Sequence, residues 1–161
     1  MSMNPGKRGP GPAPAKNAPG ERAGAGAGKI SYFTAEGNLR EALVDQEAEE
    51  QGKLLKDVAP AQLRRYYEDV LNLRRRLEHE SANVAGADPE KIWQKLRPEF
   101  RMLRAKAYYA HRRSEKVFTE EFRNFIERHV RSVETLREFL AFCRHFEAVV
   151  AFHKVYAKER N

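Results

Sequence analysis

The chain of 161 residues has one cysteine, no long apolar run, and neither glycine nor proline after Pro98. With Cys143 alone, an internal disulfide is excluded, and nothing in the chain requires an oxidising compartment. No segment approaches the roughly 20 consecutive apolar residues that cross a bilayer. The first residues also lack the apolar run of a signal peptide. We therefore expect a cytoplasmic protein that has no membrane partner.

The sequence also lacks the motifs of the common catalytic and metal sites. There is no HExxH or CxxC motif, no histidine–cysteine spacing of a zinc site, no glycine-rich phosphate loop and no GxSxG elbow. We interpret Cys143 as a small core residue and the histidines as surface or interface residues: His79, His111, His129, His145 and His153. The sequence therefore predicts a protein that is not an enzyme and has no cofactor or metal.

The first 28 residues contain five of the eight prolines and seven of the ten glycines. Because this stretch has little apolar surface to bury, nothing offsets the entropy lost on ordering it. We predict that residues 1–29 form a disordered Gly/Pro/Ala-rich arm. Residues 30–161 are expected to form a single helical-bundle domain.

Apolar residues beyond the arm recur at helical spacing, and no stretch alternates with period two long enough to indicate a strand. The sequence predicts an all-α fold: a small up-and-down bundle of about five helices. Pro98 is expected to kink or break its helix, because proline removes a backbone donor and clashes with the preceding turn. The predicted helix starts follow capping and proline signals: Asn38, Pro60, Asp88 with Pro89, Thr119, and either Ser132 or Thr135.

The net charge of +7 and the pI of about 9.6 favour an anionic partner, nucleic acid ahead of a membrane surface. The positive charge concentrates between positions 97 and 113, where no acid separates Glu99 from Glu115. An apolar stripe of Phe100, Leu103, Ala107 and Ala110 is expected to face a core. A neighbouring stripe carries three guanidinium groups and one aromatic ring: Arg101, Arg104, Tyr108 and Arg112.

Two interpretations of the basic stripe remain open. In the first, its cations contact the phosphates of a nucleic acid and Tyr108 stacks or hydrogen-bonds. The predicted binding residues are Arg101, Arg104, Lys106, Tyr108, Arg112 and Arg113, with Arg64 and Arg65 as further candidates. In the second, the stripe is a solvated face whose arginines pair with acids of other helices. Arg64 with Glu68 and Arg65 with Asp69 have the spacing of ordinary i,i+4 ion pairs.

Three blocks of the sequence, in order, resemble a known family. They are residues 62–73 (QLRRYYEDVLNL), 100–112 (FRMLRAKAYYAHR) and 139–153 (FLAFCRHFEAVVAFH). The blocks resemble those of the small subunit of the type III-A CRISPR effector, the Csm complex. The lysines of the family's middle block correspond to Arg104 and Lys106, Arg101 stands where lysine is frequent, and Arg112 matches the closing basic residue.

The resemblance implies an all-helical antiviral-defence protein without enzymatic activity of its own. Several copies would line the interior of the complex, beside its backbone and large subunits. They would contact single-stranded target RNA, or the duplex of guide (crRNA) and target, through phosphates and irrespective of sequence. Two other hypotheses stay open: a helical scaffold that bridges neighbouring subunits without touching RNA, and an unrelated basic helical protein that binds DNA.

Overall fold

The structure is a computed structural model that describes residues 28–158. These residues form five α-helices, preceded by a short 3₁₀ helix over Glu41–Val44. The helices are α1 (Gln46–Leu54), α2 (Pro60–Asn83), α3 (Pro89–Arg113), α4 (Glu120–Ser132) and α5 (Leu136–Tyr156). In this part of the chain there is no β-strand, and one isolated bridge pairs Phe33 with Leu39. The all-α prediction is confirmed, while the predicted arm lies outside the described residues except for its last two.

Local capping signals set the starts of the long helices. Pro60 and Pro89 occupy the first helical position of α2 and α3, where the missing proline N–H leaves no hydrogen bond unmade. The Asp88 side chain accepts a hydrogen bond from the backbone N–H of Glu90 at 3.0 Å. Thr135, not Ser132, caps α5, because Thr135 and Glu138 form a reciprocal capping box. Together with the Thr119 cap of α4, these starts agree with the sequence prediction.

The predicted helix start at Asn38 is wrong. The chain turns there through Gly37, whose φ of 87° suits glycine. Arg137 of α5 holds this turn, since its guanidinium donates to the Gly37 carbonyl and lies 4.1 Å from the centre of the Phe33 ring. Because the chain around Gly37 packs on α5, it forms a turn there instead of starting a helix. Helix α1 begins only at Gln46.

The predicted alternative of a break at Pro98 is wrong, because α3 continues through this residue. The other alternative, a kink there, stays a prediction. Both halves of α3 pack on the same helix. Trp93 stacks on Phe139 with ring centroids 4.5 Å apart, and Phe100 meets Phe139 edge-on at 5.5 Å. The burial of these two rings offsets the roughly 3 kcal/mol that proline costs inside a helix.

Each long helix buries one apolar side in a common core. The α4–α5 contact is aromatic, with Phe125 among its fully buried side chains. Helix α1 lies so close to α5 that a Cβ added to Gly52 would meet the Phe152 Cβ at 2.8 Å. Helix α3 packs against α2 and α4, which leaves its outer side exposed. None of the described helices is both long enough and apolar enough to cross a membrane.

Three histidines that the sequence placed on the surface or at an interface are buried: His129, His145 and His153. The Tyr32 hydroxyl lies 2.8 Å from Nδ1 of His129, and Nδ1 of His145 donates to the Leu43 carbonyl at 2.5 Å. Both bonds attach the segment before α1 to helices α4 and α5. Because these partners are distant in sequence, the helical pattern gave no signal for them.

Burial lowers the pKa of all three histidines, that of His129 well below its ordinary 6.5. The unfolded chain therefore binds protons more readily than the folded protein below pH 6.5. We expect the free energy of unfolding to be full well above pH 6.5 and to fall as the pH is lowered through this value towards pH 5. For His129, whose pKa lies well below 6.5, the loss approaches about 1.4 kcal/mol per pH unit.

Chemical denaturation monitored by circular dichroism across this pH range measures the effect. The carboxylates with resolved shifts, Glu127 and Glu138, have lowered pKa values and titrate below the window. His129→Phe should flatten the dependence, whereas His79→Gln, a change at an exposed histidine, should not. Equal pH dependence in the natural protein and His129→Phe would contradict the assignment.

Candidate nucleic-acid interface

Helix α3 carries far more positive than negative charge. Its only acids are Glu90 and Glu99. Its lysines and arginines are Lys91, Lys95, Arg97, Arg101, Arg104, Lys106, Arg112 and Arg113. Within residues 28–158, Arg104 is the only one of these cations that forms an ion pair. Arg112 and Arg113, in the last turn of α3, also interact favourably with the negative end of the helix dipole. The other cations of α3 have no such interaction with the dipole to offset their mutual repulsion.

Glu127 of α4 binds the middle of the basic stripe. Its carboxylate accepts from Nε of Arg104 at 3.1 Å and from the Tyr108 hydroxyl at 2.6 Å. Arg131 lies 2.9 Å from the same carboxylate. Partial burial alone would raise the pKa of Glu127, but the hydrogen bonds from Tyr108 and Arg104 and the charge of Arg131 hold it below its usual value. Arg104 and Tyr108 therefore join α3 to α4.

The Tyr108 ring has cationic neighbours on two helices. The guanidinium groups of Arg104 and Arg123 each lie 5.0 Å from its centroid. These two guanidinium groups compete with a base for contact with the Tyr108 ring. Arg123 and Arg131 of α4 were missed by the sequence analysis, although their spacing around Glu127 (i, i+4, i+8) was a usable signal.

The four remaining α3 candidates lie along two edges of its outer side. Arg101 and Arg112 share the edge near α4, since Arg101 is seven residues from Tyr108, and Lys106 and Arg113 share the edge near α2. All four residues are exposed. None forms an ion pair with another described residue. The structure thus places these four predicted residues on one helix surface, which we call the outer face of α3.

Arg65 lies beside the outer face of α3, whereas Arg64 lies on another side of α2. Arg76 of α2 bonds Glu99 of α3, and Asp69 and Lys106 line the same groove between the two helices. This antiparallel register places Arg65 opposite the C-terminal end of α3. Arg64 is rotated by about 100° around α2 and lies away from α3.

The expected i,i+4 pairs of Arg64 and Arg65 are not formed. Glu68, the expected partner of Arg64, instead lies 3.8 Å from Arg75. Asp69, the expected partner of Arg65, lines the groove between α2 and α3. Both arginines are exposed, so their guanidinium groups are accessible to an external anion.

Within residues 28–158, no three histidine, cysteine or acidic side chains converge as a metal site requires. Cys143 is buried, and burial raises the pKa of its thiol to about 12. A thiol with that pKa is a poor nucleophile at neutral pH. The feature of the described chain that best fits a ligand is therefore the cationic outer face of α3.

The model of the Csm2 Type III-A family matches residues 38–159. The chain belongs to this family. It is therefore a small subunit of the type III-A CRISPR complex and assembles with the other Csm subunits. All three blocks that carried the resemblance lie within the match, which confirms that prediction. No curated protein matches the chain, and no solved structure does.

Proposed function

We propose that this small subunit is non-catalytic and holds RNA in the complex by contacting its phosphates irrespective of sequence. The ligand is single-stranded target RNA or the guide–target duplex. The observation that carries the proposal is the outer face of α3, which exposes Arg101, Arg112, Lys106 and Arg113 without an ion pair to any other described residue. The accessible Arg65 of α2 extends this surface.

The electrostatics of the face support a polyanionic ligand. Like charges on one helix repel each other, and neighbouring acids usually offset this repulsion. Here Glu127 forms ion pairs with Arg104 and Arg131, and Glu99 forms an ion pair with Arg76. The charges on the outer face are exposed to solvent. When such cations neutralise RNA phosphates, the counterions condensed on the RNA are released, and this release favours binding.

Phosphate contacts also suit the task of a guided complex. Base pairing with the guide reads the sequence, so a subunit that accepts any target must bind the backbone and ignore the bases' identity. Several copies side by side would each need only weak affinity, because their contacts act together on one strand.

A scaffold that bridges subunits without touching RNA is the second candidate. It is favoured by the exposure of two apolar side chains outside α3, Leu54 of α1 at 60% and Val155 of α5 at 71%. Family membership argues against the third hypothesis, an unrelated DNA-binding protein.

Fluorescence anisotropy of the full-length protein with two labelled single-stranded RNAs of unrelated sequence tests the proposal. We expect equal affinity for both strands and a steep loss of affinity with salt. If the four cations of the outer face each neutralise a phosphate, the log–log slope should be about −2.8, at roughly 0.7 per contact. Absence of binding by a protein that still assembles with its partner subunits would favour the scaffold. A strong preference for one sequence would contradict the backbone mechanism.

A further inference from the structure

The middle of the outer face of α3 is apolar. Met102 is 55% exposed and Tyr109 is 68% exposed, and Ala105 lies between them on the same side of the helix. This apolar strip spans about 10 Å along the helix axis. Arg101 and Arg112 border it on the side of α4, and Lys106 and Arg113 border it on the side of α2, as described above.

The two adjacent tyrosines of α3 have different environments. Tyr108 donates a hydrogen bond to Glu127 and has two guanidinium groups near its ring. Tyr109 has no hydrogen bond or ring contact with another described residue, and it is the more exposed of the two. The ring with a free face is thus Tyr109, not the Tyr108 that the sequence analysis selected.

We propose that Tyr109 is the stacking platform of the interface and that an unpaired base of single-stranded RNA packs on its ring. This inference rests on the proposed function and adds a residue and a contact type to it. Met102 and Ala105 would provide apolar contact for the same or the adjoining base. The strand's phosphates would lie on the arginines and lysine of the two edges.

The combination of charge and apolar surface favours nucleic acid as the occupant. An aromatic ring bordered by cations on both sides matches the two parts of a nucleotide strand, its flat bases and its charged backbone. An apolar protein surface docked here would desolvate several cations without pairing them, which is costly. Stacking is insensitive to base identity because every base has a π-face, so it is compatible with binding irrespective of sequence.

The test compares a single-stranded RNA with an abasic ribose–phosphate strand of equal length and charge. We expect the natural protein to bind the RNA about 5- to 150-fold more tightly than the abasic strand, the range for one stacked base. Tyr109→Ala should remove most of this difference and leave binding of the abasic strand unchanged. Tyr109→Phe should retain the difference, because the ring remains. Val155→Ala, a truncation of an exposed side chain on α5, serves as the matched control.

A spectroscopic readout separates stacking from general loss of affinity. The fluorescence of 2-aminopurine in the RNA should change on binding to the natural protein and to Tyr109→Phe, but not to Tyr109→Ala at saturation. Equal affinity for the RNA and abasic strands, with a normal salt dependence, would overturn the stacking role and leave phosphate binding intact. Failure to bind either strand would overturn the proposed function itself. If Tyr109→Ala binds RNA normally but does not assemble with partner subunits, the strip is a protein contact and the inference is wrong.

Discussion

Replacing Phe125 by alanine is expected to lower the free energy of unfolding by about 3–5 kcal/mol. Phe125 is 1% exposed and joins α4 to α5. Its ring centroid lies 4.8 Å from that of His129, 5.2 Å from that of Phe146 and 5.9 Å from that of His145. Rigid rings on two helices cannot collapse into the vacated space, so the cavity persists. A domain of ordinary stability has only about 5–15 kcal/mol in total.

Denaturant unfolding followed by circular dichroism measures this loss. Phe125→Leu fills most of the space and should cost less than about 1.5 kcal/mol. Val155→Ala, at an exposed position of α5, should have little effect. A loss below about 1 kcal/mol for Phe125→Ala would mean that α4 and α5 do not meet through this ring.

The double charge reversal Arg101→Glu/Arg112→Glu is expected to weaken RNA binding by about two orders of magnitude or more. Each charge-assisted phosphate contact is worth roughly 1.5–3 kcal/mol, and 1.4 kcal/mol is tenfold in affinity. The salt slope should also become shallower by about 1.4, because two phosphate contacts are lost. Both side chains are exposed and form no ion pair with another described residue. The fold should therefore survive, which circular dichroism checks.

The matched control is Arg144→Glu/Lys154→Glu. These two exposed cations of α5 likewise have no ion pair with another described residue, and the change in net charge is the same. We expect the control to weaken binding only slightly, through the long-range field. Equal losses in the two variants would show that binding depends on net charge and not on the outer face of α3. Undiminished binding by the α3 variant would exclude that face.

The features that could be predicted from the sequence are those set by neighbouring residues. Pro60 and Pro89 fit the first helical position through their own ring geometry, and the caps at Asp88 and Thr135 bond residues within a few positions. The local pattern therefore sufficed. The apolar stripes predicted the buried sides of the helices for the same reason. The family resemblance also rested on contiguous blocks.

The predictions that failed depend on contacts between distant parts of the chain. The break that was one alternative at Pro98 does not occur, because rings before and after it pack on α5. The helix predicted to start at Asn38 begins only at Gln46, because Arg137 of α5 holds the preceding chain in a turn at Gly37. His129 is buried against Tyr32, a partner that helical periodicity does not reveal.

The candidate site was predictable as a helix but not as a set of free side chains. The sequence identified α3 by its uninterrupted positive charge. It could not separate Arg104 and Tyr108, which bind Glu127 of α4, from Arg101 and Arg112, which do not. The exposure of Tyr109 depends on the same arrangement, because the positions of α2 and α4 decide which side of α3 remains open.

Photocrosslinking in the reconstituted type III-A complex with target RNA is the most direct test of the central claim. A photoreactive phenylalanine analogue would replace Met102 on the outer face of α3 or, in a second preparation, Leu140 on α5. We expect a crosslink to RNA from position 102 and none from position 140. Crosslinks from position 102 to protein subunits alone, or an RNA crosslink from position 140 alone, would contradict RNA binding by the outer face of α3.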